Sequence, residues 1–454
     1  MAESCSPAVS LAEASDAHRL SLRANFSWTF VGNVVYSACQ WGIVIVLAKL
    51  GSPLLVGQYA LGVAIATPVI ALSQLQLRPV IASDVHEKYR FGEYLGFRLM
   101  ATLLATLVVL AIPIVLHSGA GMTPLVFLVG LSLALESISD LYFARLQFID
   151  RMDRIAKSQI ARAPLSLIAL GLVVHFTGSL ALGVAAMVVA RMAVLIGYDM
   201  RPRTHFLQPF DANSAQAREQ LNYVKEILKP RWEPRAMARI FWLAAPLGVV
   251  ALLVNLNTNI PRYFIQWSLG TRELGIYSAL GFMMSAGNLF AAALAQAVFV
   301  RLARFHADGR NSDFVVLLLK MAGTATVLGV GGILFGWIAG PELLRIVYKP
   351  EYADQWHVMV WFMVVAWIGY ICQFLGTAMT SARYFVHQIP LFVAVVLAIT
   401  GASYLLVPRM GLVGGVLSNL VGAIVQLAGS VLILGFALRR NSRLVSAANQ
   451  VATS

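Results

Sequence analysis

Hydrophobic residues along the chain group into twelve runs of about twenty residues, the length that crosses the apolar core of a bilayer as an α-helix. Polar connections separate these runs. The runs begin near Asn25, Leu54, Arg98, Thr123, Lys157, Gly178, Arg239, Arg272, Val316, Gln355, His387 and Gly411. This pattern predicts an all-α polytopic membrane protein with twelve transmembrane helices.

The distribution of positive charge predicts the orientation of these helices. With the amino-terminus placed in the cytoplasm, about four-fifths of the 34 Lys and Arg residues fall in the tails and connections of the cytoplasmic side. Cytoplasmic loops are enriched in Lys and Arg, so both termini are predicted to be cytoplasmic. Arg191 is left as the one basic residue expected deep inside an apolar run.

Composition supports membrane insertion over a large soluble core, because 59% of the residues are hydrophobic and 12% are charged. The net charge of +13 would suggest a nucleic-acid partner in a soluble chain. Here the basic residues flank the membrane, which favours contact with anionic lipid headgroups and predicts no nucleic-acid partner. The three cysteines lack metal-ligand spacing and are interpreted as packing residues.

The spans divide into two similar halves. Residues 25–200 and 239–438 are predicted to form two six-helix bundles, joined by a basic cytoplasmic linker at 201–238 and flanked by cytoplasmic tails at 1–24 and 439–454. Segments 50–62 and 269–281 share Leu-Gly, a short turn, Gly-x-Tyr and Ala-Leu-Gly. Six helices separate the two copies, so they have the same orientation. A parallel repeat of this kind is typical of alternating-access transporters, in which the two bundles are pseudo-symmetric around a central cavity.

Polar residues recur at helical spacing in spans 1, 2 and 4 and at the equivalent spans 7, 8 and 10 of the second half. Polar side chains are costly in lipid and usually face the bundle or an aqueous cavity. For any one stripe, hydrogen-bonded helix packing is an equally good interpretation. The candidate cavity residues are Asn33, Gln40, Gln74, Asn255, Asn259, Asn288 and Gln373.

A cation in the middle of a span needs a charged partner or water, so Arg191 is the most informative single residue. Glu136 and Asp140 lie on one face of span 4 at a comparable depth. A structural ion pair of Arg191 with either carboxylate is the first interpretation. Direct contact with an anionic substrate, or a part in proton coupling, is the alternative.

Three further basic residues lie nearer the ends of their spans. Lys49, Arg78 and Arg262 would by default extend towards the headgroups. Arg78 and Arg262 share faces with the polar stripes, so both are also candidates for cations in the cavity.

The sequence shows no catalytic constellation: it has no Ser/His/Asp arrangement on a credible scaffold, no metal-ligand spacing and no phosphate-cradling glycine loop. The connections predicted on the outer side are short. We therefore expect a protein that is not an enzyme and that holds no cofactor.

Three segments resemble one known family. They are Phe30-Val31-Gly32-Asn33, Leu-Gly-x(5)-Gly-Gln-Tyr-Ala at 50–60 and the segment from Pro341 to Tyr352, in which Lys349-Pro350 replaces a common glycine. On these motifs and the six-plus-six layout, about residues 20–440 resemble the Wzx-type polysaccharide flippases of the multidrug/oligosaccharidyl-lipid/polysaccharide exporter superfamily.

The resemblance implies movement of an undecaprenyl-diphosphate-linked oligosaccharide across the bacterial inner membrane, for O-antigen, capsule or exopolysaccharide synthesis. It also implies a cationic cavity, for which the candidates are Arg78, Arg191, Arg262 and Lys49. The implied partners are the lipid-linked oligosaccharide, membrane lipids, a polysaccharide polymerase and the chain-length machinery. Coupling to protons or to sodium stays open, with Glu136 and Asp140 as candidate carboxylates.

Several other functions compete with this one. A cation-coupled multidrug antiporter of the same superfamily commonly has an acidic residue in the first span, and none lies between Asn25 and Lys49. A peptidoglycan-precursor flippase usually has fourteen spans. The short outer connections disfavour a membrane glycan polymerase or ligase, and a membrane scaffold would not need paired polar stripes.

Overall fold

The computed structural model describes residues 21–83, 89–117, 119, 121–201, 224–382 and 388–453. Helices account for almost all of these residues. The helices are α1 (Leu22–Leu50), α2 (Pro53–Gln74), α3 (Leu77–Ser83), α4 (Phe91–Val115), α5 (Met122–Phe148), α6 (Met152–Thr177), α7 (Leu180–Val194), α8 (Pro234–Ser268), α9 (Thr271–Phe282), α10 (Ser285–Ala307), α11 (Asn311–Val347), α12 (Pro350–Ala353), α13 (Trp356–Ser381) and α14 (Gln388–Thr453).

Within the described residues, eleven helical segments are long and apolar enough to cross a membrane. The last of them, within α14, is divided at Gly411, where a φ of 60° and a ψ of −134° interrupt the helix. Glycine tolerates this left-handed φ because it has no Cβ, so α14 supplies two spans. The predicted all-α protein with twelve spans is confirmed. The eighth span is made of α9 and α10, which are separated by a turn at Met283 and Met284.

Several helices begin earlier than the hydropathy pattern predicts. Helix α4 begins at Phe91, seven residues before Arg98, and α6 begins at Met152, five residues before Lys157. Charged residues in the first turns of a helix lower the local hydropathy, but the backbone hydrogen bonds of the helix include these residues. Basic residues that the sequence assigns to connections therefore lie within helices.

The chain forms two compact units whose division cuts across three helices. The first unit contains the described residues of 1–43 and 65–251, and the second contains those of 44–64 and 252–454. Helices α1, α2 and α8 each begin in one unit and end in the other. The predicted bundle boundaries at 25–200 and 239–438 stay predictions, and most of the predicted linker and amino-terminal tail lies outside the described residues.

The outer faces of the helices carry large apolar side chains. In α4, for example, Leu103, Leu104 and Leu107 are each more than half exposed. An apolar face of this kind suits contact with lipid. In a membrane, helices associate through close packing more than through the hydrophobic effect, so large apolar side chains can remain on the outer faces. The chain is a multi-pass membrane protein.

Candidate functional site

The candidate site is built around helix α5 of the first unit, which carries two intramembrane carboxylates. Glu136 and Asp140 are four residues apart, so they lie one turn apart on the same face of α5. Ser137 lies beside them and is fully buried. Three acceptor side chains on one helix create a polar strip that cationic residues from other helices can reach.

Arg191 of α7 pairs with Glu136. The distance from Nη1 to Oε2 is 2.7 Å, and the Arg191 side chain is 4% exposed. Nη1 also donates to the carbonyl oxygen of Ser132 at 3.3 Å. Of the two partners that the sequence leaves open for Arg191, the structure has Glu136. The Glu136 side chain is 23% exposed. The short distance and the deep burial of Arg191 are those of a structural ion pair, in which removal of one partner leaves an uncompensated charge.

Helix α1 joins this ion pair through two polar residues. The hydroxyl of Tyr36 donates to Glu136 Oε1, and Gln40 Nε2 donates to the Tyr36 hydroxyl at 3.0 Å. Glu136 therefore accepts hydrogen bonds from α1 and α7 at once. Gln40 is the predicted cavity residue that the structure connects to the acidic strip.

Arg78 of α3 binds the second carboxylate. Its Nη1 lies 3.0 Å from Asp140 Oδ1, and its Nε donates to Gln147 Oε1 at 2.9 Å. The side chains of Arg78 and Asp140 are 31% and 29% exposed. Partial solvation screens this pair, so it stabilises the fold less than the buried pair does.

We expect Arg78→Gln to lower the free energy of unfolding by about 1 kcal/mol or less, since the pair that it removes is partly solvated. Thermal unfolding of the purified protein, followed by the fluorescence of a thiol-reactive dye, measures the change. A loss several times larger would contradict the weak contribution assigned to this pair.

Two further arginines are missed by the sequence and lie inside helices. Arg98 of α4 is fully buried and donates from Nη1 to Ser137 Oγ at 3.1 Å. Arg162 of α6 is 3% exposed, and its Cζ lies 5.2 Å from the centre of the Phe143 ring. The expectation that Arg191 is the one basic residue inside a span is therefore wrong. The sequence signal for Arg98 and Arg162 is helical periodicity that extends beyond the limits of the apolar run.

The guanidinium groups of Arg98 and Arg162 have unused capacity for hydrogen bonding in the described part of the chain. Nε and Nη2 of Arg98, and Nε and Nη1 of Arg162, are buried without a hydrogen-bond partner among the described residues. Buried polar groups are nearly always satisfied, and those that are not indicate strain, an unseen ligand or a functional role. These four nitrogen atoms could donate hydrogen bonds to a bound anion.

Four arginines from four helices thus converge on α5, and we call Arg78, Arg98, Arg162 and Arg191 the arginine cluster. The carboxylates near it are Glu136, Asp140 and Asp199, the last of which accepts from Ser158 Oγ at 2.6 Å. Arg162 lies within electrostatic range of Glu136 and Asp199. The cluster retains a positive charge and open guanidinium N–H donors, which suit an oxyanion such as a phosphate.

The predicted residues of the second unit form a separate set. Arg262 of α8 donates from Nη1 to Asn259 Oδ1 at 3.0 Å, and Asn259 Nδ2 donates to the carbonyl oxygen of Asn255 at 2.8 Å. Nε of Arg262 is buried without a hydrogen-bond partner in the described part of the chain. Asn288 is exposed, and Gln373 is half-buried. Their role in binding a substrate stays a prediction.

Three other predicted residues are considered separately. Lys49 is exposed at the end of α1, and its Nζ donates to the carbonyl oxygen of Ile346 at 2.6 Å. Asn33 of α1 and Gln74 of α2 are half-buried. Among the described residues, no group of three or more His, Cys, Asp or Glu could hold a metal ion.

Comparisons with known proteins show what the sequence and the fold of this chain are similar to. A family model described as "Polysaccharide biosynthesis protein" matches residues 22–306. The capsular polysaccharide biosynthesis protein CapF of Staphylococcus aureus is 24% identical over 405 residues, which cover 89% of this chain and 96% of CapF.

Solved structures share the fold at low identity. The lipid II flippase MurJ, in an inward closed conformation, has a TM-score of 0.68 at 9% identity, with 92% of this chain and 89% of MurJ covered. An inward-facing multidrug resistance MATE family transporter of the MOP superfamily has a TM-score of 0.61 at 10% identity, with 97% and 99% covered. The chain therefore has the fold of the transporters of this superfamily.

Proposed function

Because the chain belongs to the polysaccharide biosynthesis protein family, we propose that it is a flippase for an undecaprenyl-diphosphate-linked oligosaccharide. It would move the oligosaccharide from the inner to the outer leaflet of the bacterial inner membrane, with both termini in the cytoplasm. The observation that carries this proposal is the arginine cluster, with its buried N–H donors that have no partner among the described residues.

The chemistry of the substrate explains why a transporter would need such a cluster. A diphosphate is a dense anion that pays a large desolvation cost in a bilayer, and guanidinium groups replace part of its hydration by charge-assisted hydrogen bonds. The polyprenyl tail can remain in lipid throughout. Arg98 and Arg162 would contact the diphosphate directly, whereas the carboxylates on α5 hold Arg191 and Arg78 in place.

Alternating access gives the movement its mechanism. The transporter would expose the bound headgroup first to one side of the membrane and then to the other, and substrate binding must favour the switching state in order to bias this exchange. The delivered repeat unit would then serve a polysaccharide polymerase and its chain-length machinery. We propose coupling to protons or sodium through Glu136 or Asp140.

A multidrug antiporter is the second candidate, favoured by the fold shared with the MATE family transporter. Two observations weigh against it. The first span has no acidic residue, and the two carboxylates of α5 are engaged by Arg191 and Arg78. A cationic drug would meet a site whose net charge repels it.

Reconstitution tests the proposal directly. We expect proteoliposomes that contain the purified protein to move an undecaprenyl-diphosphate-linked oligosaccharide between leaflets, so that a membrane-impermeant glycosidase cleaves the newly exposed glycan. Protein-free liposomes are the control for leakage and spontaneous movement. In cells, deletion of the gene should trap lipid-linked repeat units on the cytoplasmic face. Normal surface polysaccharide in the deletion strain, together with altered drug resistance, would favour the antiporter instead.

A further inference from the structure

The part of α8 that belongs to the second unit carries a row of polar side chains along one face. Asn255, Asn259, Arg262 and Gln266 follow one another at intervals of four, three and four residues, so they lie on one side of the helix. We call these four residues the α8 row. Its charged member is Arg262, and the other three side chains are neutral amides.

Arg262 is turned towards the middle of the span. Its Nη1 donates to Oδ1 of Asn259, which lies about one turn earlier in α8, whereas the nearer end of the helix is Ser268. An arginine that reached for the lipid headgroups would extend towards that nearer end. The hydrogen bond of Asn259 Nδ2 to the carbonyl oxygen of Asn255 holds the amide that Arg262 binds. The guanidinium is therefore kept inside the helix bundle.

The second unit supplies no carboxylate for this charge within its described spans. The sequences of α8, α10, α13 and α14 contain no Asp or Glu, and the acidic residues of α9 and α11 lie within two turns of a helix end. The groups that act electrostatically on Arg262 in the described part of the chain are the hydroxyls of Tyr263 and Tyr277. Both hydroxyls donate to backbone carbonyl oxygens, those of Ala64 and Gly415. A cation without a counter-charge is costly in a membrane, so Arg262 indicates a function.

Two buried atoms of the α8 row have opposite needs for hydrogen bonding. Nε of Arg262 is a donor, and Oε1 of Gln266, one turn later, is an acceptor. Neither atom has a hydrogen-bond partner among the described residues. The amide of Gln266 is fixed, because its Nε2 donates to Thr271 Oγ1 at 3.0 Å. A ligand that satisfies both atoms must offer an acceptor to Arg262 and a hydrogen-bond donor to Gln266.

An acidic sugar has this combination of groups. Its carboxylate can accept charge-assisted hydrogen bonds from the guanidinium of Arg262, and its hydroxyl groups can donate to Gln266. A chloride ion has no hydrogen to donate. A diphosphate carries more negative charge than one arginine balances, whereas a single carboxylate matches it.

We propose that Arg262 and Gln266 bind an acidic sugar, so that the oligosaccharide moved by this protein carries a carboxylate in its repeat unit. We call these two residues the sugar-acid site. The inference rests on the proposed function and names the class of substrate within it. The arginine cluster binds the diphosphate, and the sugar-acid site selects for the glycan that the diphosphate carries. Asn255 and Asn259 act as positioning residues for Arg262.

The first test measures binding without transport, so its outcome is independent of the proposed function. Sodium glucuronate, glucose and sodium chloride are added separately, at equal concentration, to the purified protein. We expect glucuronate to raise the midpoint temperature of thermal unfolding by about 2 °C, because a ligand that binds the folded state stabilises it. Glucose controls for the sugar ring and chloride for the charge. An equal shift with either control would overturn the sugar-acid site.

Two variants locate this effect. Arg262→Gln removes the cation, and Gln266→Glu places a carboxylate one turn away that competes with the ligand for Arg262. Both should abolish the shift with glucuronate, and Gln266→Glu should not lower the midpoint temperature without ligand, since it supplies a counter-charge. Arg409→Gln is the matched control, because Arg409 is an exposed arginine of the same unit. A shift that persists in Arg262→Gln or in Gln266→Glu would overturn the assignment.

Transport then tests the class of substrate. Proteoliposomes are supplied with two undecaprenyl-diphosphate-linked oligosaccharides that differ in carrying either glucuronate or glucose at one position. We expect the acidic oligosaccharide to move about tenfold faster, and Gln266→Glu to remove this difference, whereas Arg409→Gln should retain it. Equal rates for the two oligosaccharides with the unaltered protein would overturn the proposal. If the protein moves neither oligosaccharide but is still stabilised by glucuronate through Arg262, the proposed function fails and the binding site stands.

Discussion

We expect Glu136→Gln to lower the free energy of unfolding by about 3–5 kcal/mol, the usual cost of breaking a buried ion pair by removing one partner. The substitution keeps the size of the side chain but leaves Arg191, which is 4% exposed, without its carboxylate. It also weakens the acceptor for Tyr36. The midpoint temperature of thermal unfolding and the abundance of the protein in membranes should both be clearly lower for this variant than for Arg78→Gln.

A double-mutant cycle separates this structural role from a role in transport. Arg191→Met alone should destabilise less than Glu136→Gln, because it leaves a carboxylate that still binds Tyr36. The double variant should recover much of the lost stability, since it leaves neither the arginine nor the carboxylate as an uncompensated charge. Additive effects of the two substitutions would contradict the ion pair. Recovered stability without recovered transport would show that the charges also act in the transport cycle.

The second large effect concerns Arg98 and Arg162, some of whose buried nitrogen atoms have no hydrogen-bond partner among the described residues. We expect Arg98→Met to reduce transport of the lipid-linked oligosaccharide by tenfold or more, because each charge-assisted hydrogen bond to a phosphate contributes about 1.5–3 kcal/mol. The stability of the protein should be unchanged or higher, since the substitution removes a fully buried charge. Initial rates of transport in proteoliposomes and thermal unfolding measure the two effects on one sample.

Arg162→Met should behave in the same way, and Arg239→Gln is the matched control because Arg239 is an exposed arginine of α8. A variant that loses stability and transport in proportion would place Arg98 or Arg162 among the packing residues. Transport at the normal rate in both methionine variants would remove them from the anion site. The stated combination, lower transport with retained stability, is expected of residues kept for function at a cost to the fold.

The sequence predicted the fold well because insertion into a membrane is governed by local composition. Twelve spans, including the break at Gly411, follow from hydropathy over windows of about twenty residues. It also showed that Arg191 requires a partner, and it limited the choice to two carboxylates. The spans follow from residues close together in the chain, and the need of Arg191 for a partner follows from the cost of removing its charge from water.

Only the tertiary structure decided which partners meet. Glu136 and Asp140 share a face of α5, so the choice between them depends on the rotation and crossing of α7, which no local pattern encodes. The sequence places Arg98 and Arg162 outside the apolar interior of their spans because hydropathy rises only after a helix has begun, and their burial depends on the packing of α4 and α6 against α5. Gly57 and Gly275 appeared as a repeat, but their mutual contact is a property of two helices crossing. Local hydropathy thus determined the spans, whereas packing between helices determined the arginine cluster and the contact between the two glycine-containing repeats.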